Sequence, residues 1–117
     1  MTIEHVLAVI PVRDLSSAVL WFGRLLGRPP DNYPMDTLAE WQVTPSGWIQ
    51  VTTDPDRAGT ALLNFAVDDI SAHLQDLADR ELAVGPVEQV SNGVQLAAVL
   101  DPDGTRLTFI GSFRTTY

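Results

Sequence analysis

Apolar and polar residues alternate near the start of the chain, and the spacing of apolar residues then becomes helical. The alternation predicts a strand within residues 3–12, and its apolar members are Val6, Ala8, Ile10 and Val12. Asp14 follows as a candidate helix N-cap, before apolar residues at helical spacing, namely Leu15, Val19, Phe22 and Leu26. Gly27 and the Pro29-Pro30 pair end this predicted helix.

The same pattern of strand, capping residue and helix occurs again later in the chain. A second strand is predicted over residues 61–67, and Asp69 caps a helix that carries Ile70, Leu74, Leu77 and Ala78. Five pairs are separated by the same 55 positions, and these are Val12 and Val67, Asp14 and Asp69, Leu15 and Ile70, Ser16 and Ser71, and Val19 and Leu74. The shared spacing indicates an internal duplication.

Each predicted helix is followed by short extended segments that turns separate. The first module has segments 38–43 and 48–53 around Thr44-Pro45-Ser46-Gly47, and the second has segments 94–100 and 106–110 around Asp101-Pro102-Asp103-Gly104. We expect one domain over residues 1–117, with module one at about 1–55 and module two at about 59–115. The stretch 54–60 between them is the predicted hinge, and a short hinge permits exchange of modules between chains.

Composition narrows the classes of function. The 117 residues are 45% hydrophobic and 19% charged, which is typical of a globular domain, and cysteine and lysine are absent. The net charge is −8 and the arginines are scattered, so we expect no nucleic-acid partner. No apolar run reaches the roughly 20 residues of a membrane span, and no basic leader follows Met1, so we expect a cytoplasmic protein without a membrane partner.

Three segments together resemble the vicinal oxygen chelate superfamily, which includes glyoxalases, bleomycin-resistance proteins and extradiol dioxygenases. They are Val12-Arg13-Asp14-Leu15 with the Trp21-Phe22 and Leu26-Gly27 that follow, then Val67-Asp68-Asp69-Ile70, and then Asp101-Pro102-Asp103-Gly104-Thr105-Arg106. The resemblance implies an α+β fold of two βαβββ modules. Their curved mixed sheets enclose a cavity, and the helices lie on the outer faces. It also implies a homodimer.

The resemblance identifies positions for metal ligands, on the first and last strands of each module. Here those positions hold Leu7, Gln50, Leu62 and Thr108. Leucine cannot bind a metal ion, and glutamine and threonine are poor ligands without imidazole or carboxylate partners. His5 lies two residues before Leu7 and is the one histidine near this set, whereas His73 is expected at the surface of the second helix. We therefore expect no metal and no other cofactor.

Strand alternation assigns other side chains to the cavity that the resemblance implies. The inward positions include Arg106 and Ile110, and the candidate ligand-binding residues are His5, Leu7, Val9, Glu40, Trp41, Trp48, Gln50, Leu62, Asn64 and Thr108. Trp48 shares its strand face with Gln50 and is the stronger aromatic candidate, whereas Trp41 shares its face with Val43 and is better explained by packing. Glu40 is either an inward carboxylate or a solvated acid of an edge strand.

These residues favour a metal-independent protein that binds a small organic molecule. An aromatic ligand that is neutral or cationic fits Trp48, Glu40 and the acidic net charge, and sequestration of an antibiotic is one such function. A second interpretation is a lyase, isomerase or epimerase that uses Glu40, His5 or Gln50. A third is a structural or regulatory dimer that binds no small ligand.

Overall fold

Module one is a four-stranded sheet with one helix packed on it. A computed structural model describes residues 2–113 of the chain. In module one it contains β1 (Val6–Val12), α1 (Leu15–Leu26), β2 (Asn32–Met35), β3 (Leu38–Thr44) and β4 (Gly47–Thr53). The strand order is β1-β4-β3-β2, with β1 parallel to β4 and the other neighbours antiparallel.

Module two repeats this arrangement. It contains β5 (Leu62–Val67), α2 (Ile70–Asp79), β6 (Glu88–Gln89), a 3₁₀ turn at Ser91–Gly93, β7 (Gln95–Leu100) and β8 (Arg106–Gly111). The strand order is β5-β8-β7-β6, again with the first and last strands parallel. The α+β fold of two βαβββ modules is therefore confirmed.

Both predicted helix caps are confirmed. The Asp14 carboxylate accepts hydrogen bonds from the backbone N–H of Ser17 at 3.2 Å and from its hydroxyl at 2.6 Å, which lowers the pKa of Asp14. In the second module, Asp69 accepts from the backbone N–H of Ala72 at 3.1 Å. Each carboxylate satisfies an N–H group that the first turn of a helix leaves without a partner.

The helix-facing sides of both sheets form one apolar core. Alternate residues of the strands are buried under the helices, and they include Ile10, Val12, Ile49, Val51, Leu107 and Phe109. Phe22 and Leu25 of α1 and Leu77 of α2 are buried in the same cluster. The alternation predicted from the sequence therefore assigns the faces of these strands correctly.

Polar contacts between described residues join the modules. The Asp103 carboxylate accepts from the backbone N–H of Arg13 at 3.1 Å, and the guanidinium of Arg80 donates to the carbonyl of Leu25 at 3.2 Å. Gly59 has φ +85°, and a Cβ at that position would lie 2.3 Å from the carbonyl oxygen of Asp103. The predicted hinge therefore packs against the Asp101–Gly104 turn, and glycine is required at this close approach.

The sequence pattern did not predict β2 or β6, and it placed the start of the first strand too early. All residues of β2 and β6 are exposed, so these strands show no alternation of apolar and polar side chains. Only the family resemblance implied them. The first strand begins at Val6, and Ile3 and His5 precede it, because β1 pairs with β4 only from the Val6–Gly47 pair onward.

Candidate functional site

The sheet faces opposite the helices are open. Leu7 and Val9 on β1 are 47% and 54% exposed, and Leu62 on β5 is 81% exposed. These are the apolar side chains that were assigned to the cavity. In a single chain they form two uncovered surfaces, one on each module, which we call the open faces.

A carboxylate held by two amides lies on the open face of module one. The Gln50 amide donates to one oxygen of Glu40 at 2.9 Å, and the Asn32 amide donates to its other oxygen at 3.2 Å. Glu40 and Gln50 face each other across the antiparallel β3–β4 pair and are both half-buried. The hydrogen bonds fix the direction of the carboxylate, and within residues 2–113 no cation pairs with it.

Trp48 lies two residues from Gln50 and is oriented by His5. Its indole N–H donates to Nδ1 of His5 at 3.1 Å, and the two rings meet edge to face with centroids 6.2 Å apart. The only polar group of the indole is therefore satisfied within the chain. What remains for a ligand is the flat apolar surface of a half-buried ring.

The open face of module two forms a cavity of about 770 Å³. Asn64 and Thr108, two of the predicted residues, line it from the paired strands β5 and β8. The segment 83–88 closes one side. Sequence reasoning assigned no role to the other lining residues on this sheet and segment, which include Leu96, Ala98, Leu100, Val84 and Glu88.

A cleft of about 680 Å³ separates the two modules. Trp48 lines it from module one and Asn64 lines it from module two. Asn64, on the edge strand β5, also lines the module-two cavity. Glu40 and Gln50 line neither space, so one chain brings together only part of the predicted set.

Trp41 does not belong to the open face, and its assignment as a ligand contact is corrected. It is fully buried, its ring centroid lies 6.2 Å from that of Phe22, and its indole N–H donates to the carbonyl of Arg28 at 3.0 Å. On β3 it directly follows Glu40 and pairs with the buried Ile49 of β4, so strand alternation turns it toward α1. It packs in the core, as its shared face with Val43 indicated.

His73 is half-buried, so the expectation that it is exposed is wrong. Its ring centroid lies 4.6 Å from that of Phe109, and its buried Nε2 has no hydrogen-bond partner among residues 2–113. Burial lowers the pKa of His73 from its usual value of 6.5, and the nearby positive charge of Arg80 lowers it further. His73 lies one position from the apolar stripe of α2, and its ring nevertheless packs against Phe109 of the sheet.

The residues at the metal-ligand positions do not fit a metal ion. Leu7 and Leu62 offer no donor atom, and His5 already accepts the Trp48 N–H. Within residues 2–113, no three side chains among His, Asp and Glu converge as a ligand set. None of the helices formed by these residues has the length and apolar character needed to cross a membrane.

The chain resembles several solved structures over nearly its whole length. A glyoxalase/bleomycin resistance protein from Catenulispora acidiphila DSM 44928 is 32% identical, with TM-score 0.86, and the match covers 92% of this chain and 96% of that one. A bleomycin-binding protein complexed with bleomycin is 19% identical with TM-score 0.76, over 92% and 98% of the two chains. An antibiotic-binding protein from Streptomyces sp. CB03234 is 21% identical with TM-score 0.76, over 95% and 98%.

At identities of 19% and 21%, the last two structures share the fold with this chain. The chain matches no protein-family model, and no curated protein matches it.

Proposed function

Because the chain belongs to the glyoxalase/bleomycin resistance protein family, we propose that it binds and sequesters a small organic molecule, without a metal ion. The observation that carries this proposal is the fixed aromatic surface of Trp48 beside the Glu40–Gln50 pair. A binding site gains affinity when its groups are oriented before the ligand arrives, since less conformational entropy is then lost. Two structural neighbours that bind bleomycin or an antibiotic support the same class of function.

The chemistry of the module-one open face favours an aromatic ligand that is neutral or cationic. A planar ring can stack on Trp48, whose N–H is already used. Glu40 has no cationic partner among the described residues and offers a fixed carboxylate to a positive group. The net charge of −8 attracts cations toward the protein and repels anions.

We further propose that the site is completed by a second copy of the chain. The module-one residues Glu40 and Gln50 and the module-two residue Thr108 line no common cavity within one chain. Both open faces carry exposed leucines, at Leu7 and Leu62. If the module-one face of one copy covers the module-two face of another, these apolar surfaces are buried and the half-sites are joined.

Metal independence is supported by the side chains at the positions where relatives would place ligands. Leu7 and Leu62 remove a donor from each module, and in the described part of the chain no three His, Asp or Glu side chains converge to replace them. We expect purified protein that was exposed to transition metals to retain well under one ion per chain by elemental analysis. A stoichiometric ion that is lost when His5 is replaced by Ala would contradict this expectation.

Binding is tested by replacing Trp48. A screen of dye-like and antibiotic-like compounds by calorimetry should find aromatic ligands, and Trp48→Ala should weaken their binding by about 1–3 kcal/mol, the range for loss of a stacking wall. Trp48→Phe, which keeps a flat ring, should recover most of the affinity. Leu20→Ala is a suitable control, because Leu20 is 73% exposed on α1.

The thermal stability of each variant separates a binding defect from a folding defect. Trp48→Ala should unfold within a few degrees of the unaltered protein, since the ring lies on an open face. If Trp48→Ala binds all compounds as tightly as the unaltered protein does, the proposed site is wrong.

A further inference from the structure

The register of the two sheets relates positions in one module to positions in the other. Trp48 pairs with Leu7 in module one, and Arg106 pairs with Leu62 in module two. Leu7 and Leu62 are themselves related by the 55-residue duplication. Trp48 and Arg106 therefore occupy equivalent positions, and the same reasoning makes Gln50 equivalent to Thr108.

Arg106 carries an unused positive charge. The ion pairs formed by residues 2–113 use Arg13, Arg28 and Arg57, whereas the exposed side chain of Arg106 has no partner among these residues. It lines the 770 Å³ cavity beside the apolar side chains of Leu100 and Ile110. A guanidinium next to apolar surface favours a bidentate contact with an acidic group.

The acid that shares this cavity is too far away to neutralise Arg106. Glu88 pairs with Leu96, whereas Arg106 pairs with Leu100, four positions along β7. Glu88 on β6 and Arg106 on β8 are separated by two strand spacings across the sheet and by four residues along the strand direction. Their backbones therefore lie roughly 17 Å apart. The positive charge is therefore available to a ligand in the cavity.

The opposite charge lies on the module-one face. Glu40 is held by Asn32 and Gln50, and its equivalent position in module two is Ala98, because Glu40 pairs with Gln50 and Ala98 pairs with Thr108. Arg106 likewise has an uncharged equivalent, Trp48. The duplicated faces thus differ in charge, one offering a fixed carboxylate and the other a free guanidinium.

From this asymmetry we infer that the ligand is an aromatic zwitterion, whose ring stacks on Trp48, whose cationic group meets Glu40 and whose acidic group meets Arg106. This inference rests on the proposed function, including the joining of the two half-sites. A zwitterion has no net charge, so the overall charge of −8 does not repel it as it repels an anion.

Three probes with the same ring test the inference by calorimetry. They are 4-(aminomethyl)benzoate, which carries both charges at opposite ends, 4-methylbenzylamine, which carries only the positive one, and 4-methylbenzoate, which carries only the negative one. The zwitterion should bind about tenfold or more tightly than either single-charge probe, because each charge-assisted hydrogen bond contributes at that level.

The variants assign each charge to a residue. Arg106→Gln should reduce the affinity for the zwitterion to that for the amine and leave the affinity for the amine unchanged. Glu40→Gln should reduce the affinity for the zwitterion to the affinity for 4-methylbenzoate. Arg24→Gln is the matched control, since Arg24 is an exposed arginine on α1 that lines neither space, and it should change nothing.

Four results would overturn the inference. The first is binding of 4-methylbenzylamine as tight as that of the zwitterion, and the second is no binding by any of the three probes. The third is a ligand from the broader screen whose affinity falls in Trp48→Ala and is unchanged in Arg106→Gln, and this result leaves the proposed function standing. The fourth is loss of the dimer in Arg106→Gln with unchanged probe binding, which would assign Arg106 to the contact between copies.

Discussion

At the scale of single residues, His73 has the least expected environment. Its ring packs on Phe109, and the charged groups that act on it are Arg80, Asp76 and Asp68. Burial is the largest of these influences and lowers the pKa of His73 below 6.5. The imidazole is therefore neutral at pH 7, and its protonation opposes folding.

The pH dependence of stability follows from that lowered pKa. Around and below pH 6.5 the unfolded chain binds more protons at this position than the folded chain does. The free energy of unfolding should therefore fall as the pH drops through this range. Chemical denaturation at a series of pH values measures this dependence. The free energy of unfolding of His73→Gln and of His73→Phe should change less with pH than that of the unaltered protein. Equal slopes in all three proteins would show that His73 does not titrate differently on folding.

At the scale of elements, a residue in the left-handed conformation follows each helix, glycine after α1 and glutamate after α2. Gly27 follows α1 with φ +81°, and Glu81 follows α2 with φ +65°. After α2, the N–H of Glu81 bonds to the carbonyl of Ala78, and the N–H of Leu82 bonds to the carbonyl of Leu77. This is a Schellman ending, whose left-handed position glycine fills best.

Glu81→Gly should therefore stabilise the protein. The left-handed conformation costs a residue with a Cβ about 1–2 kcal/mol, and the extra freedom of glycine in the unfolded chain costs about 0.5–1 kcal/mol, so the net gain is about 0.5–1 kcal/mol. Gly27→Ala is the reciprocal variant and should destabilise, because its Cβ would also lie 3.1 Å from the guanidinium of Arg80. Urea denaturation measures both, and destabilisation by Glu81→Gly would contradict the prediction.

At the scale of the whole molecule, the uncovered apolar surface is the dominant feature. Leu62 is 81% exposed on β5, which pairs only with β8 and is an edge strand, and β1 with Leu7 is the corresponding edge of the other sheet. Open edges and apolar faces of this kind favour association.

The expected assembly is a homodimer at micromolar concentration, measured by sedimentation velocity. Leu62→Glu should shift the protein to monomer, because it places a charge in the surface that we expect the second copy to cover. Leu20→Glu changes a leucine of similar exposure on α1 and should leave the dimer intact. A monomeric unaltered protein, or a dimer unaffected by Leu62→Glu, would contradict the arrangement.

Periodicity predicted most of the fold because each long element buries one side. The alternation of Ile10 and Val12 with exposed neighbours, and the helical spacing of Leu15 and Phe22, arise from contact with a common core. The strands β2 and β6 bury nothing, so they leave no such signal. The parity argument also separated Trp48 from Trp41 correctly, since neighbouring faces of a strand have opposite environments.

The sequence by itself determined the duplicated frame, the helix caps and the absence of donors at Leu7 and Leu62, because these depend on local spacing and residue chemistry. Only the tertiary structure decided which side chains meet. The Trp48–His5 bond joins residues 43 positions apart, and the contact between Asp103 and Arg13 joins residues 90 positions apart. No local pattern encodes such distances. The Trp48–His5 bond results from the parallel pairing of β1 with β4 within module one. The Asp103–Arg13 contact results from the packing of both modules on one core, which also half-buries His73.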